Sequence, residues 1–432
     1  AISLSCLLLL FLLKMPNDLL KEIFLRNTSG KVSPEKLIYL DEGLTTTVAV
    51  FNDDSSGVKN KRLILNGVNM SADIMDARKY MTLLSYIPLL LVENAKNVLV
   101  ICFGTGQTAG AAGAYPGINL VDVVDISPGV FRAGKFFKAT NHNVVNNPKV
   151  KKIIQDGRQH LLTTSTTYDV ITAEPPPPSS AGSVNLYTKE YYELTKRALK
   201  PGGIVSQWIP LHSQSETHVY QNFRTFYESF PYVMAWYPVR KELILIGSNQ
   251  PINLEFQDIK QRLQNPVTNK IMQDIEFDTP YSFLGSIWFL KKELKSLGSG
   301  QHVISDNNPS LEFFLDDPRN ISEDGISKII ASRSPFEDVW EKITQSSYFP
   351  AKTHKVTFKK YWDSRLNADY ALLNYDLGTA LLAEGKIEKA ISHYKMAIKL
   401  KPDFAQAHYN LGVALVAEGK NEEAISHYKM AI

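Results

Sequence analysis

Val98-Leu99-Val100-Ile101-Cys102-Phe103-Gly104-Thr105-Gly106-Gln107-Thr108-Ala109-Gly110 is the stretch around which the rest of the chain falls into order. The unbroken apolar run from Val98 to Cys102 reads as a strand buried on both faces, and the glycines after it open a helix. Glycines there let the backbone turn tightly and approach a ligand with no side chain between. About twenty residues on, at the end of the next apolar run, stands Asp125 in Val-Val-Asp-Ile-Ser. A carboxylate at that place can accept both hydroxyls of an adenosine ribose. The alternative is a structural loop followed by a helix N-cap.

Outward from this point the same alternation continues. Strands are predicted over Val98 to Cys102, Leu120 to Ile126, Lys151 to Gln155, Tyr168 to Ala173 and Gly203 to Trp208, separated by helix-length segments. That order implies a parallel sheet with helices on both faces. Val233 to Tyr237 and Glu242 to Gly247 are close enough to pair antiparallel at the sheet edge, a finish common in adenosylmethionine-dependent folds. Residues 96–250 are thus expected to form an α/β, Rossmann-like domain. Before it, over 37–95, Thr45 to Phe51 and Lys61 to Asn66 flank an Asn-Asp-Asp-Ser-Ser-Gly turn and read as a β-hairpin, and Asp76 to Leu91 has helical apolar spacing.

After it, 251–355 reads as a mixed, mainly helical extension. Residues 371–432 are different. Leu377-Gly378 recurs as Leu411-Gly412, Ala390 as Ala424, Tyr394 as Tyr428 and Ala397 as Ala431, each displaced by 34 residues. That period, with Pro402 closing the first unit, is the tetratricopeptide (TPR) signature. Ala371 to Phe404 make one complete repeat, and a second is incomplete. Because about three repeats are needed for a stable stack, more are expected beyond Ile432.

The length of 432 residues suggests about three domains. A net charge of +3 leaves no nucleic-acid footprint. With only two cysteines, Cys6 and Cys102, neither a disulfide framework nor a Cys-based metal site can be built, which points to a reducing compartment. His212, His218, His393 and His427 lack metal-ligand spacing, so no metal is expected. Ala1 to Leu13 are almost wholly apolar and are followed by Lys14, Lys21 and Arg26. Thirteen helical residues rise ~20 Å, short of the ~30 Å hydrocarbon layer. The segment is read as the end of a truncated transmembrane helix with a cytoplasmic continuation; a signal-peptide remnant and a buried helix are the alternatives. The expected location is the cytoplasmic face of a membrane, or the cytoplasm if the segment is not a span.

Further candidate residues follow the later strands. Asp156, with Gly157 behind it, ends the third strand and can accept an adenine amino group, or simply cap a helix. Glu174 ends the fourth strand and is followed by Pro175-Pro176-Pro177-Pro178, which stiffen the loop in an extended form. There a carboxylate can orient or deprotonate an amine nucleophile. A solvated structural glutamate is the alternative.

From about Glu42 to Ser248 these residues resemble the polyamine aminopropyltransferase (spermidine synthase) family, and most closely its bacterial branch in which the domain follows a membrane-spanning part. The resemblance rests on Asp41-Glu42-Gly43, Leu65-Asn66-Gly67, Ile87-Pro88-Leu89-Leu90, the glycine loop with Gly104 and Gly106, Val124-Asp125-Ile126-Ser127-Pro128-Gly129, Asp156-Gly157-Arg158, Glu174 with its prolines, and Asn185-Leu186-Tyr187-Thr188. Lys200-Pro201-Gly202-Gly203 and Ser305-Asp306-Asn307-Asn308-Pro309 extend it. It implies transfer of an aminopropyl group from decarboxylated S-adenosylmethionine to an amine such as putrescine. It further implies Asp125 at the ribose, Asp156 at the adenine, Glu174 in the place of the family's first catalytic-loop aspartate, and Tyr80 and Tyr187 as substrate contacts.

Departures accompany it. The loop's second aspartate falls at Pro177, the family's hairpin glutamine at Thr46, and the histidine of its Tyr-His pair at Met81. A diamine needs a carboxylate at each end to offset the desolvation of two ammonium groups. Glu42, Asp73, Asp76 and Asp306 are the substitutes the sequence offers. Two other readings stand beside transfer of an aminopropyl group: a methyltransferase-like enzyme using ordinary S-adenosylmethionine, and a degenerate nucleotide-binding scaffold. In each the TPR tail predicts a protein or peptide partner, and the family suggests a homo-oligomer formed through the hairpin region.

Overall fold

The computed structural model describes residues 33–54, 58–178, 180, 182–212, 214–311, 321–344 and 351–432. The apolar stretch from Ala1 to Leu13 lies outside them, and among the described residues no helix is long and apolar enough to cross a membrane.

The chain first forms a four-stranded antiparallel meander of β1 (Leu37–Glu42), β2 (Thr47–Asp53), β3 (Asn60–Leu65) and β4 (Val68–Ala72). The expected hairpin is its centre, β2 with β3. Asn66 and Gly67 close β3 onto β4 with φ of 50° and 81°, the left-handed pair that a tight hairpin turn requires. Helix α1 (Met75–Leu91) then runs beneath a second, larger sheet and is bonded to it where the Ser206 hydroxyl donates to the Leu84 carbonyl at 2.6 Å.

That sheet has the order β12 (Ile287–Leu290), β10 (Tyr232–Val239), β11 (Glu242–Ser248), β9 (Leu199–Pro210), β8 (Tyr168–Ala173), β5 (Asn97–Ile101), β6 (Leu120–Asp125), β7 (Val150–Ile154). Strands β5 (Asn97–Ile101), β6 (Leu120–Asp125), β7 (Val150–Ile154), β8 (Tyr168–Ala173) and β9 (Leu199–Pro210) are parallel. Helices α2 (Gln107–Ala114), α3 (Pro128–Ala133), α4 (Gly157–Thr163) and α5 (Lys189–Ala198) connect them. Side chains alternate across β5, so Val98 and Val100 join the core shared with α1 and α2, while Leu99 and Ile101 join Tyr191 and Tyr192 of α5. Burial of both faces explains why the strand reads as a continuous apolar run.

After α6 (Glu216–Ser229), β10 (Tyr232–Val239) and β11 (Glu242–Ser248) pair antiparallel as expected. They are not the sheet edge, however. Residues 251–355 give three helices, α7 (Phe256–Leu263), α8 (Pro266–Gln273) and α9 (Pro280–Leu284), and then β12 (Ile287–Leu290), which covers β10 through the pair Ala235 and Phe289. Helices α10 (Lys291–Leu297), α11 (Glu323–Ala331) and α12 (Phe336–Ile343) follow.

Helix α13 (Ala351–Ala383) runs without a break from the extension into the first repeat, through the expected boundary at 371. It is held to the large sheet at several points. Its Trp362 ring lies 3.5 Å from the Arg333 guanidinium, which sits 4.1 Å from Trp288 on its other side. Further along, Arg365 donates to the Tyr237 carbonyl at 3.0 Å and also to that of Pro238, while Asp376 pairs with Arg240. The turn between β10 and β11 is therefore clasped by α13. Helices α14 (Ile387–Leu400), α15 (Ala405–Ala417) and α16 (Asn421–Met430) complete the tail. The rings of Tyr394 and Tyr428 fill the space beside Gly378 and Gly412, which is why those residues recur at the repeat period.

Candidate active site

The candidate residues gather at the carboxyl ends of β5, β6 and β8, the edge where open α/β sheets bind ligands. Gly106 turns the chain into α2 with φ of 81°; a side chain there would also strike the Phe103 ring, its Cβ falling 2.6 Å from that ring. Gly104 differs, because a Cβ built on it meets open space. The backbone at Gly104 is thus open to a ligand, whereas Gly106 is needed for the turn itself.

Asp125, at the end of β6, accepts the Phe103 N–H on Oδ2 at 2.9 Å and the Ser127 N–H on Oδ1 at 2.8 Å. Burial raises its carboxyl above the usual range, and the two N–H bonds oppose the rise. Each oxygen keeps a further acceptor site, so both ribose hydroxyls can still be received. These residues fit a nucleoside.

Glu174 leaves β8 with its own N–H donating to the Ile101 carbonyl at 3.2 Å. Its Oε1 accepts the Tyr80 hydroxyl at 2.9 Å, and its Oε2 accepts the Thr108 hydroxyl at 3.3 Å. Thr108 and Gln107 also bind the Met81 carbonyl and the Thr82 hydroxyl, so the first turn of α2 is fastened to α1 beside Glu174. Burial pushes the Glu174 carboxyl up to about 7; the Tyr80 and Thr108 bonds hold it down, and the Glu242 charge adds to the rise. A carboxyl poised there can take up a proton at neutral pH.

Tyr80 stacks on Trp208 of β9, centroids 5.7 Å apart and planes 12° apart. The Trp208 indole donates to Glu242 Oε2 at 2.7 Å, and His212 Nε2 lies 3.2 Å from Glu242 Oε1. Glu242 begins β11 and pairs in register with Pro210, which brings it beside the end of β9. Reading the sequence placed Glu242 only in an edge strand. The register that delivers it here depends on a partner, Pro210, 32 residues earlier, and only the rarity of a carboxylate in so apolar a strand hinted at it.

The other expected residues are placed differently. Asp156 is exposed and caps α4, its Oδ1 accepting the Gln159 N–H at 2.9 Å, with Gly157 packed against Ile101. Tyr187 is fully buried, with its hydroxyl donating toward the Pro175 and Pro176 carbonyls at 3.4 and 3.3 Å, so it pins the proline loop. Met81 sits where its sulfur receives the Ser71 and Thr105 hydroxyls. Of the substitute carboxylates, Asp306 is engaged by both ends of the Arg158 guanidinium, and Asp73 accepts the Lys61 N–H. Glu42 and Asp76 are exposed. Among the described residues no group of three or more His, Cys, Asp or Glu is arranged to hold a metal ion.

Residues 77–248 match the spermine/spermidine synthase domain, and residues 378–417 and 405–432 match tetratricopeptide repeat families. A spermidine synthase of Dictyostelium discoideum is 29% identical over 205 residues, covering 46% of this chain and 70% of that protein. A polyamine aminopropyltransferase of Methanocaldococcus jannaschii is 28% identical over 285 residues, covering 62% of this chain and 92% of that protein. The chain spans only 34% of the Oceanobacillus iheyensis polyamine aminopropyltransferase, at 29% identity over 180 residues and 41% of this chain.

Proposed function

From a chain whose residues 77–248 are a spermine/spermidine synthase domain, followed by tetratricopeptide repeats over 378–432, we propose an enzyme that moves an aminopropyl group from decarboxylated S-adenosylmethionine to an amine such as putrescine. The observation that carries this reading is the half-buried Glu174 carboxylate, bonded to Tyr80 and to Thr108 just after the glycine loop, at the same sheet edge as Asp125. The donor would supply a sulfonium-activated aminopropyl carbon. Asp125 would hold the ribose hydroxyls, Gly104 and Gly106 the approach to it, and Asp156 with Gly157 the adenine end. Glu174 accepts the proton that the acceptor ammonium must lose before its nitrogen is nucleophilic. The nitrogen then bonds to carbon as the carbon–sulfur bond breaks, and sulfur keeps the electron pair, giving methylthioadenosine.

Two carboxylates in this cleft, Glu174 and Glu242, suit a donor whose amino end carries only positive charge. They disfavour the carboxylate of ordinary S-adenosylmethionine, so methyl transfer is the weaker reading. The repeats are assigned a protein or peptide partner, since such stacks bind extended ligands in their concave face. The test is release of methylthioadenosine by the full chain from decarboxylated S-adenosylmethionine and a panel of amines, followed by mass spectrometry. Product that disappears in Glu174→Gln supports the proposal. Binding of the nucleoside with no product from any amine would overturn it in favour of a nucleotide-sensing scaffold.

A further inference from the structure

Resting on the aminopropyl-transfer reading, we infer that Glu242, held by Trp208 and His212, receives the second cationic group of a diamine or polyamine acceptor. It thereby takes over the task of the carboxylate that Pro177 removes from the loop.

The argument begins from what a dication costs. An acceptor with two ammonium groups is desolvated at both ends on entry, and each end needs a carboxylate to offset that. Glu174 serves the reacting nitrogen. The four alternatives legible in the sequence do not serve the other, since Asp306 is committed to Arg158, Asp73 to the Lys61 N–H, and Glu42 and Asp76 stand exposed.

Glu242 meets the requirement. Its side chain is 13% exposed and one oxygen takes the Trp208 indole N–H, a neutral donor that orients the carboxylate without cancelling its charge. The other oxygen faces His212, which is 42% exposed and can yield its place to a substrate ammonium. A carboxylate has about four acceptor sites, so the indole leaves most of them unused.

The ground between the two carboxylates is aromatic. Tyr80 bonds Glu174 and Trp208 bonds Glu242, and the two rings stack on each other at 5.7 Å. The stack fixes the position of each ring and so of the carboxylate bonded to it. With a carboxylate fixed to each ring, an acceptor whose two ammonium groups match the spacing of Glu174 and Glu242 would be preferred.

The experiment uses the full chain and compares kcat/KM for 1,4-diaminobutane with that for 1-aminobutane, which lacks the second charge. Glu242→Gln is expected to lower the diamine-to-monoamine preference by about ten- to a hundredfold, the worth of one charge-assisted contact. Glu242→Asp draws the carboxylate back by one methylene, so the preferred acceptor shifts toward 1,5-diaminopentane. Calorimetry with methylthioadenosine checks that each variant keeps its nucleoside site. If Glu242→Gln does not fold, the chain-length profile of Glu242→Asp decides alone. Product formation with a preference that stays within about twofold in both variants, and an unmoved length profile, overturns the inference and leaves the transfer reading standing. Conversely, a wild-type chain that yields no product yet binds the diamine through Glu242 keeps the subsite and removes the transfer reading.

Discussion

The Tyr80 hydroxyl donates to Glu174 Oε1 at 2.9 Å, joining α1, an element laid down before the sheet begins, to the end of its fourth parallel strand. The phenol stabilises the ionised form of a carboxylate whose surroundings otherwise favour the neutral acid. The balance between the two leaves a carboxyl that titrates at about 7.

Replacing Glu174 by Gln keeps the shape and removes the proton acceptor. A loss of about 10²–10⁴ in kcat is expected, the usual contribution of a general base. Methylthioadenosine release read by mass spectrometry gives the rate. Calorimetry with the same nucleoside should find its affinity little altered, because Asp125 is untouched.

The rate should also follow the Glu174 carboxyl. With its titration near 7, kcat/KM rises with pH below that point and levels above it, as the base loses its proton. Tyr80→Phe deletes a bond to the charged form, so the carboxyl titrates higher and the rising limb moves to higher pH. A limb that stays in place in Tyr80→Phe would assign the titration to another group.

Stability should depend on pH through the same residue. In the unfolded chain this carboxyl titrates at 4.5 and in the folded chain at about 7, so between these values the folded state holds a proton that the unfolded state has lost. Its contribution is greatest below 4.5 and falls as pH rises to about 7. Thermal midpoints measured across that window at constant ionic strength should decline in the wild type and decline less in Glu174→Gln.

Asp125→Asn puts an N–H where a ribose hydroxyl must donate. Methylthioadenosine affinity should fall about ten- to a hundredfold by calorimetry. The amide oxygen can hold one of the two backbone N–H groups at Phe103 and Ser127, so the fold should tolerate the change better than it tolerates Asp125→Ala.

Much of this was legible in the chain itself, for local reasons. Strand β5, the turn at Gly106 and the carboxylate at Asp125 lie within one βαβ unit, where apolar runs and glycines act over short distances. The edge elements were hidden. Ile287–Leu290 is four residues among helices, too short to show a period, and becomes a strand only because β10 offers it an open edge. Strand β1 is half-buried from Leu37 to Asp41, ends on the exposed Glu42 and shows no alternation. Of the two roles open to Asp156 in the sequence, the helix cap is visible in the fold, formed by Oδ1, and Oδ2 has no part in that bond. Glu242 was hidden because strand register decides its neighbours, and register is a property of two strands together.

The grip of α13 on the turn between β10 and β11 has a mechanical outcome. Arg365 and Asp376 belong to the helix that enters the repeats, and the turn they grip carries Arg240, two residues before Glu242. The helix that enters the repeats and the strand that opens with Glu242 therefore form one mechanical unit rather than two bodies joined by a slack linker.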